Sequence, residues 1–294
     1  MKTVILENDV LKIELLPGLG GKIISFFQKD KAFELAAQPE REMKSSPDKE
    51  MRFSDYAYGM DDTFPNIDSE ILHWKGKTFD FPDHGEIWKS SLTAVKQKPH
   101  EVTLSMKSEA FSFEYEKTLV LEEDRLRMKY RIVNFGNHEL PCLWTWHGLL
   151  HYEEDMVLTL PKEITHFRNV LADSCLGDVG TVYPKQNPVY DFEKVPKAES
   201  LSMVKFYGEE AVKNGICEIF YPKQQVSCKL SYDAQALPYL GVWITAGGFC
   251  GDYNLAVEPS SGFYDSVSKA RENGKLPVLG AGDVMEFEVS ISLR

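Results

Sequence analysis

Apolar and polar residues alternate with a period of two along much of the chain. Leu126, Met128, Tyr130 and Ile132 interleave with Arg127, Lys129 and Arg131, which is the pattern of a strand with one dry face and one wet face. A helix would scatter these residues around its circumference. The alternation returns at Phe111, Phe113 and Tyr115 against Ser112, Glu114 and Glu116, at Val226, Cys228, Leu230 and Tyr232, and at Phe287, Val289, Ile291 and Leu293. Near the start, apolar runs at 4–6 and 10–16 flank Glu7, Asn8 and Asp9 and predict a hairpin. Short polar or Gly/Pro turns, such as 134–137 and 280–283, separate such strands from end to end. The pattern predicts an all-β fold, a large antiparallel β-sandwich with a few short helices. Helical signals are confined to the Ala/Glu-rich residues 32–44 and to Phe263, Val267 and Ala270 ahead of Gly274. No repeat or linker divides the chain, although 185–200 reads as a loop, so one domain over 1–294 is expected.

Composition narrows the partners. The 294 residues include 33 Lys and Arg against 45 Asp and Glu, a formal charge of −12, which argues against a nucleic-acid binder because phosphates demand a basic face. No run approaches the roughly 18 apolar residues of a membrane helix, and Glu7 and Asp9 interrupt any signal-like apolar stretch at the start. A cytoplasmic protein with no membrane partner is the expectation, and its oligomeric state is left open. The five cysteines, at 142, 175, 217, 228 and 250, are odd in number and form no Cys-x-x-Cys pair, so free and mostly buried thiols are expected.

Several segments carry chemistry-bearing residues. Gly18-Leu19-Gly20-Gly21-Lys22-Ile23 matches neither phosphate-binding spacing and reads as a turn between strands. His84 lies between Pro82 and Gly85, in a loop, and loops on rigid sandwiches often hold functional groups. His147 is delivered by the aromatic strand Trp144-Thr145-Trp146 ahead of Gly148, with His151 four residues on. The His-x-x-x-His pair with Glu153 and Glu154 has metal-ligand residue types, but that spacing suits a helix and this stretch has β character, so no metal is expected. A hydrogen-bonded structural role is the competing reading of each histidine. Glu258 closes an apolar run before Pro259, which places it at a sheet edge or pocket mouth, where burial would raise its pKa toward that of a useful base; an exposed strand end is the alternative. Trp88, Trp144, Trp146 and Trp243 are mostly core candidates, with Trp243 the choice for a flat sugar platform. Asp61 and Asp62 form a polar patch able to accept sugar hydroxyls, or else a solvated loop.

In order, Asp83-His84-Gly85, Trp146-His147-Gly148 and Val257-Glu258-Pro259, with Gly20-Gly21-Lys22-Ile23-Ile24-Ser25 near the start, resemble the aldose 1-epimerase (galactose mutarotase-like) family over essentially the whole chain. The resemblance implies a β-sandwich whose concave face holds a sugar and a cofactor-independent isomerase that interconverts α and β anomers. It implies Glu258 as the base and His147 as the acid, with His84 hydrogen-bonding the sugar. Arg52 and Asp62 stand where a sugar-gripping group is expected. Relatives acting on hexose 6-phosphates carry an arginine shortly after the first His-Gly, whereas Glu86-Ile87-Trp88-Lys89 stands here and favours an uncharged sugar. A phosphate-specific mutarotase, a carbohydrate-binding sandwich without activity, and a glycoside hydrolase pairing Asp62 with Glu258 are the alternatives.

Overall fold

A computed structural model of the protein describes residues 2–39, 52–172 and 175–294. Among them, an eleven-stranded and an eight-stranded antiparallel sheet face one another, accompanied by two two-stranded ribbons. The eight-stranded sheet is built from the alternating segments. Phe113–Glu122, Arg125–Asn134 and Val284–Leu293 lie side by side in it, with Leu119 opposite Met128 and Met128 opposite Val289. Their apolar sides are buried while Arg127, Glu116 and Glu288 stand on the other face, as the period of two requires.

The eleven-stranded sheet begins with the hairpin of Val4–Glu7 and Leu11–Leu16, in which Val4 pairs with Leu15. Its centre is different in kind. Thr145–His151 and Tyr253–Ser260 are buried on both faces, so alternation is absent there and the strands read as continuous apolar runs. The inward side chains Trp146, Leu150, Leu255 and Val257 join the main core between the sheets. On the outer face, Leu149 and Ala256 join a second, smaller apolar cluster with Phe53, Tyr56 and Trp88.

The helix expected before Gly274 is present as Val267–Glu272, with the Ser266 hydroxyl accepting from the Lys269 amide at its N-terminus. The helix expected over 32–44 is not. Phe33–Glu34 is a strand paired with Phe27 and Gln28, and the Glu34 carboxylate accepts from the Phe26 and Ala36 amides. Sheet pairing and those two bonds outweigh the local Ala/Glu propensity; residues 40–44 lie outside the described residues. Residues 18–21 form the expected turn, Cys142, Cys217 and Cys228 are buried free thiols, and Cys175 and Cys250 are exposed. The one α-helix among the described residues is six residues long, and no helix there is long and apolar enough to cross a membrane.

Candidate active site

Five adjacent strands of the larger sheet, Met60–Thr63, Thr145–His151, Tyr253–Ser260, Tyr239–Ala246 and Ser202–Gly208, form the floor of a hollow on the face turned away from the smaller sheet. Strand parity decides what reaches it. Residues 147, 149, 205, 243 and 254 point outward into the hollow, while 146, 150, 204, 242 and 255 point into the main core. The hollow has a volume of about 230 Å³, and loops supply Phe53, Asp68, His84, Phe249 and Asp265 to its walls.

Glu258 and His147 meet at the floor. The Glu258 carboxyl is 0% exposed, and its Oε1 lies 3.4 Å from His147 Nε2. Glu258 does not end its strand at an edge or mouth, as its Pro259 neighbour suggested. The strand continues through Pro259, which pairs with Leu240. On the other side, pairing runs from Thr145–Ser260 directly to Leu149–Ala256. The missing donor of Pro259 falls in that gap, so it breaks no ladder bond, and the open ladder is where His147 and Glu258 face each other. Gly241, opposite Glu258, supplies the remaining space: a Cβ there would approach the Tyr207 ring to 2.7 Å and Glu258 Oε2 to 3.1 Å.

Burial penalises the charged form of both groups. It pushes the Glu258 carboxyl up to about 7, although Lys205 Nζ, 3.3 Å from Oε2, works against the rise. It drives the His147 imidazole well below its ordinary value, helped by the positive charges of His84, Lys205 and Lys22. Lys205 itself binds Asp265 Oδ2 at 2.8 Å, and Tyr207 Oη donates to Asp265 Oδ1 at 2.6 Å.

His84 sits on the loop wall with φ +56°, followed by Gly85 at +70°. A Cβ on Gly85 would lie 2.2 Å from the Phe64 carbonyl, so only glycine fits this close approach. The turn is pinned by the His84 amide donating to Ile67 O at 2.7 Å and the Glu86 amide donating to Phe64 O at 2.8 Å. His84 Nδ1–H donates to Asp83 Oδ1 at 2.8 Å, which leaves Nε2 for a ligand. Burial opposes the ionised Asp83, but its bond to His84 and the His84 charge outweigh that and hold the carboxyl below its usual range. The His84 ring stacks on Phe53 at 3.7 Å between centroids, and the His147 ring stands edge-on to both. Trp243 lines the hollow and is fixed by its Nε1–H donating to Asn254 Oδ1 at 3.0 Å.

Two expected sugar contacts are corrected. Asp61 lies opposite His147 and Asp62 opposite Trp146, so Asp62 shares the tryptophan's inward face. Its carboxylate accepts from Tyr115 Oη at 2.9 Å, Tyr130 Oη at 2.9 Å and Lys117 Nζ at 2.6 Å, sealed between the sheets. A glycosidase pairing Asp62 with Glu258 fails for the same reason. Arg52 has a side chain 78% exposed, pairs with Asp55 at 3.6 Å and does not line the hollow; its neighbour Phe53 does. His84, His147 and Trp243 line the hollow, with Lys205, Asp265, Asp68, Phe53 and Asn254, while Glu258 lies directly behind His147 and Lys205, and Tyr207 behind Asp265. The signal for Lys205 in the sequence is a single lysine inside the apolar run Met203-Val204-Lys205-Phe206-Tyr207. His151 does not line this hollow but a separate one beside Phe33 and Tyr152, and it bonds Glu153 at 3.2 Å. Among the described residues no group of three or more His, Cys, Asp or Glu side chains is placed to hold a metal ion.

Two facing antiparallel sheets, the larger with a hollow on its outer face, form a β-sandwich of the galactose mutarotase-like fold. Solved structures share this fold. The Slr1438 protein of Synechocystis sp. PCC 6803 superposes with a TM-score of 0.78 at 18% identity, covering 99% of this chain and 95% of that one. A candidate aldose 1-epimerase of Escherichia coli K12 gives 0.78 at 17% identity, with 100% and 99% covered. A galactose mutarotase-like protein of Lactobacillus casei ATCC 334 gives 0.72 at 17% identity, with both chains covered completely. No curated protein matches the chain. Residues 94–293 match the family described as a domain of unknown function, DUF4432, and the chain belongs to that family.

Proposed function

We propose that the protein is a mutarotase that interconverts the α and β anomers of an uncharged aldose by acid/base ring opening, with no cofactor. The observation that carries this reading is the buried Glu258–His147 pair at the floor of a hollow of about 230 Å³. That volume is below the roughly 300–1,000 Å³ of sites for drug-sized ligands and suits one sugar ring.

Glu258, as carboxylate, takes the C1 hydroxyl proton while His147 gives a proton to the ring oxygen. The bond between C1 and the ring oxygen breaks and an aldehyde forms. Rotation about C1–C2 and closure on the other face, with both proton transfers reversed, complete the inversion. The pair needs one proton in all. It rests on Glu258, because burial raises the acid and lowers the imidazole. The proton must pass to His147 before ring opening, and the 3.4 Å separation closes to a hydrogen bond with a small side-chain movement. His84 presents Nε2 to hydrogen-bond the sugar near its ring oxygen or anomeric hydroxyl, and Trp243 offers an apolar face.

The charges around the hollow favour a neutral ligand. Lys205 is occupied by Asp265 and Glu258, and Asp68 adds a further carboxylate. Lys89 lies over the Trp88 ring and Arg271 over the Trp74 ring, and neither lines the hollow. NMR exchange spectroscopy on anomeric protons, across a panel of aldoses and their 6-phosphates, tests the reading. Faster exchange for an uncharged aldose, lost in Glu258→Gln, is expected. Saturable binding without faster exchange would instead make this a carbohydrate-binding sandwich.

A further inference from the structure

Lys205 is a cation that a mutarotase's acid and base do not themselves require, and it is built in with care. It projects from the middle of Ser202–Gly208 on the same face as Tyr207, two residues on. Its ammonium bridges Glu258 Oε2 at 3.3 Å and Asp265 Oδ2 at 2.8 Å, and Asp265 is held in turn by the Tyr207 hydroxyl at 2.6 Å. Burial alone would strip the proton from Lys205, but Asp265 first and then Glu258 outweigh it and keep the ammonium charged.

Resting on the mutarotase reading of this site, we propose that Lys205 is a positioning residue for the reacting pair. Its ammonium, anchored on Asp265, holds the Glu258 carboxyl in place and fixes the pH at which the pair gives up its shared proton. Three features support this. The Lys205 to Glu258 distance is that of direct ion pairing, where an opposite charge lowers a carboxyl by about 1–3 pKa units. The Glu258 carboxyl is otherwise surrounded by groups that offer it no positive charge of comparable proximity. Gly241 lies opposite it, Tyr207 is beyond Gly241, and Asp265 repels it. The remaining titratable groups act on His147 or sit at the rim: His84 with Asp83 on the loop wall, Lys22 paired with buried Asp61 on the neighbouring strands, and Asp68 beside Asp265. Lys205 also repels a proton on His147, so one ammonium biases both members of the pair in the same direction.

The sign follows. Removing the charge makes Glu258 harder to ionise and His147 easier to protonate, so both limbs of the pH–activity profile move upward. A lysine that merely fills space would lower activity equally at every pH.

The test is a titration of the Glu258 carboxyl carbon by NMR in ¹³C-glutamate-labelled protein, with the resonance assigned by its disappearance in Glu258→Gln. Wild-type protein, Lys205→Met and Lys205→Arg are compared. The expected result is an upward move of at least about one unit in Lys205→Met, largely reversed in Lys205→Arg. Lys205→Gln, which keeps a polar head, is read in the same way if the methionine variant does not fold. A Glu258 titration that stays in place in the neutral variants overturns the proposal. Wild-type protein that accelerates no anomeric exchange would overturn the mutarotase reading, while the titration would still decide what Lys205 does to Glu258. Where exchange is seen, the alkaline limb in Lys205→Met must move with the carboxyl, and a limb that stays in place also counts against the proposal.

Discussion

The two faces of the larger sheet put a buried carboxylate to opposite uses. Asp62, on the inner face, is saturated by Lys117, Tyr115 and Tyr130. On the outer face two strands away, Glu258 is equally buried, yet neither of its oxygens makes a well-formed hydrogen bond, with the Lys205 ammonium at 3.3 Å and the His147 imidazole at 3.4 Å. A buried carboxylate with full hydrogen bonding is a structural element, whereas one left under-satisfied beside a hollow is poised to exchange a proton. Burial alone does not distinguish them. What distinguishes them is the number of donors supplied.

The comparison is tested most severely at Glu258. Glu258→Gln keeps the shape and removes the proton acceptor, so anomeric exchange is expected to fall at least about a thousandfold with the fold retained. Activity within tenfold of wild type would end the assignment of Glu258 as base. The inner carboxylate should behave in the opposite way. Lys117→Met leaves Asp62 with two tyrosine donors and no cation, and breaking a buried pair in this manner costs about 3–5 kcal/mol. Urea unfolding should record that loss, while exchange per folded molecule stays near wild type. His147→Asn comes next, with a loss of at least about a hundredfold in turnover and little change in stability.

These contrasts also explain what the sequence made visible. The smaller sheet was legible because its strands have one wet face: Arg127, Lys129 and Arg131 mark the outside and Leu126, Met128 and Tyr130 the inside. His147, Glu258 and His84 were singled out because their chemistry and order resemble a known family; His147 and His84 line one hollow and Glu258 lies against His147. Asp62 was misplaced because its parity depends on pairing with Thr145–His151, more than eighty residues away, and a shift of one position exchanges the faces. Lys205 and Asp265 went unnoticed because no motif marks them; strand pairing brings Lys205 to Glu258, and the bend after Tyr253–Ser260 returns Asp265 to Lys205. Residues 32–44 misled because Ala and Glu favour a helix in isolation, whereas Phe33 and Glu34 find partners in a sheet.

Stability against pH sharpens the comparison at lower energy. The Glu258 carboxyl moves from an ordinary 4.5 to about 7 on folding, so between those values the folded protein holds a proton that the unfolded chain has released. Folding stability from this group is therefore fully present below about 4.5 and is lost as pH rises through about 7. Glu258→Gln lacks the penalty. Its melting temperature should draw above that of wild type as pH rises from 4.5 to 8.5, with a gap of up to about 3 kcal/mol at about 1.4 kcal/mol per pKa unit. A gap that is constant across the range would mean that Glu258 is not raised by burial.

The smallest expected effect lies on the wet face of the smaller sheet. Arg127 there donates to Glu288 at 2.8 and 2.7 Å and to Glu122 at 2.9 Å, a well-formed network by distance alone. Its side chain is 29% exposed, however, and water and salt compete for each charge. Arg127→Ala should therefore cost no more than about 1 kcal/mol in urea unfolding, and the cost should shrink as salt is added. The cross-strand register does not depend on it, because the opposite sides of the same strands fill the core with Leu126, Met128, Val289 and Ile291. A loss approaching that of Lys117→Met would show that the exposed ladder, and not only the sealed one, carries structural weight. The contrast between solvated and enclosed charge would then have to be replaced by one based on the number of bonds alone.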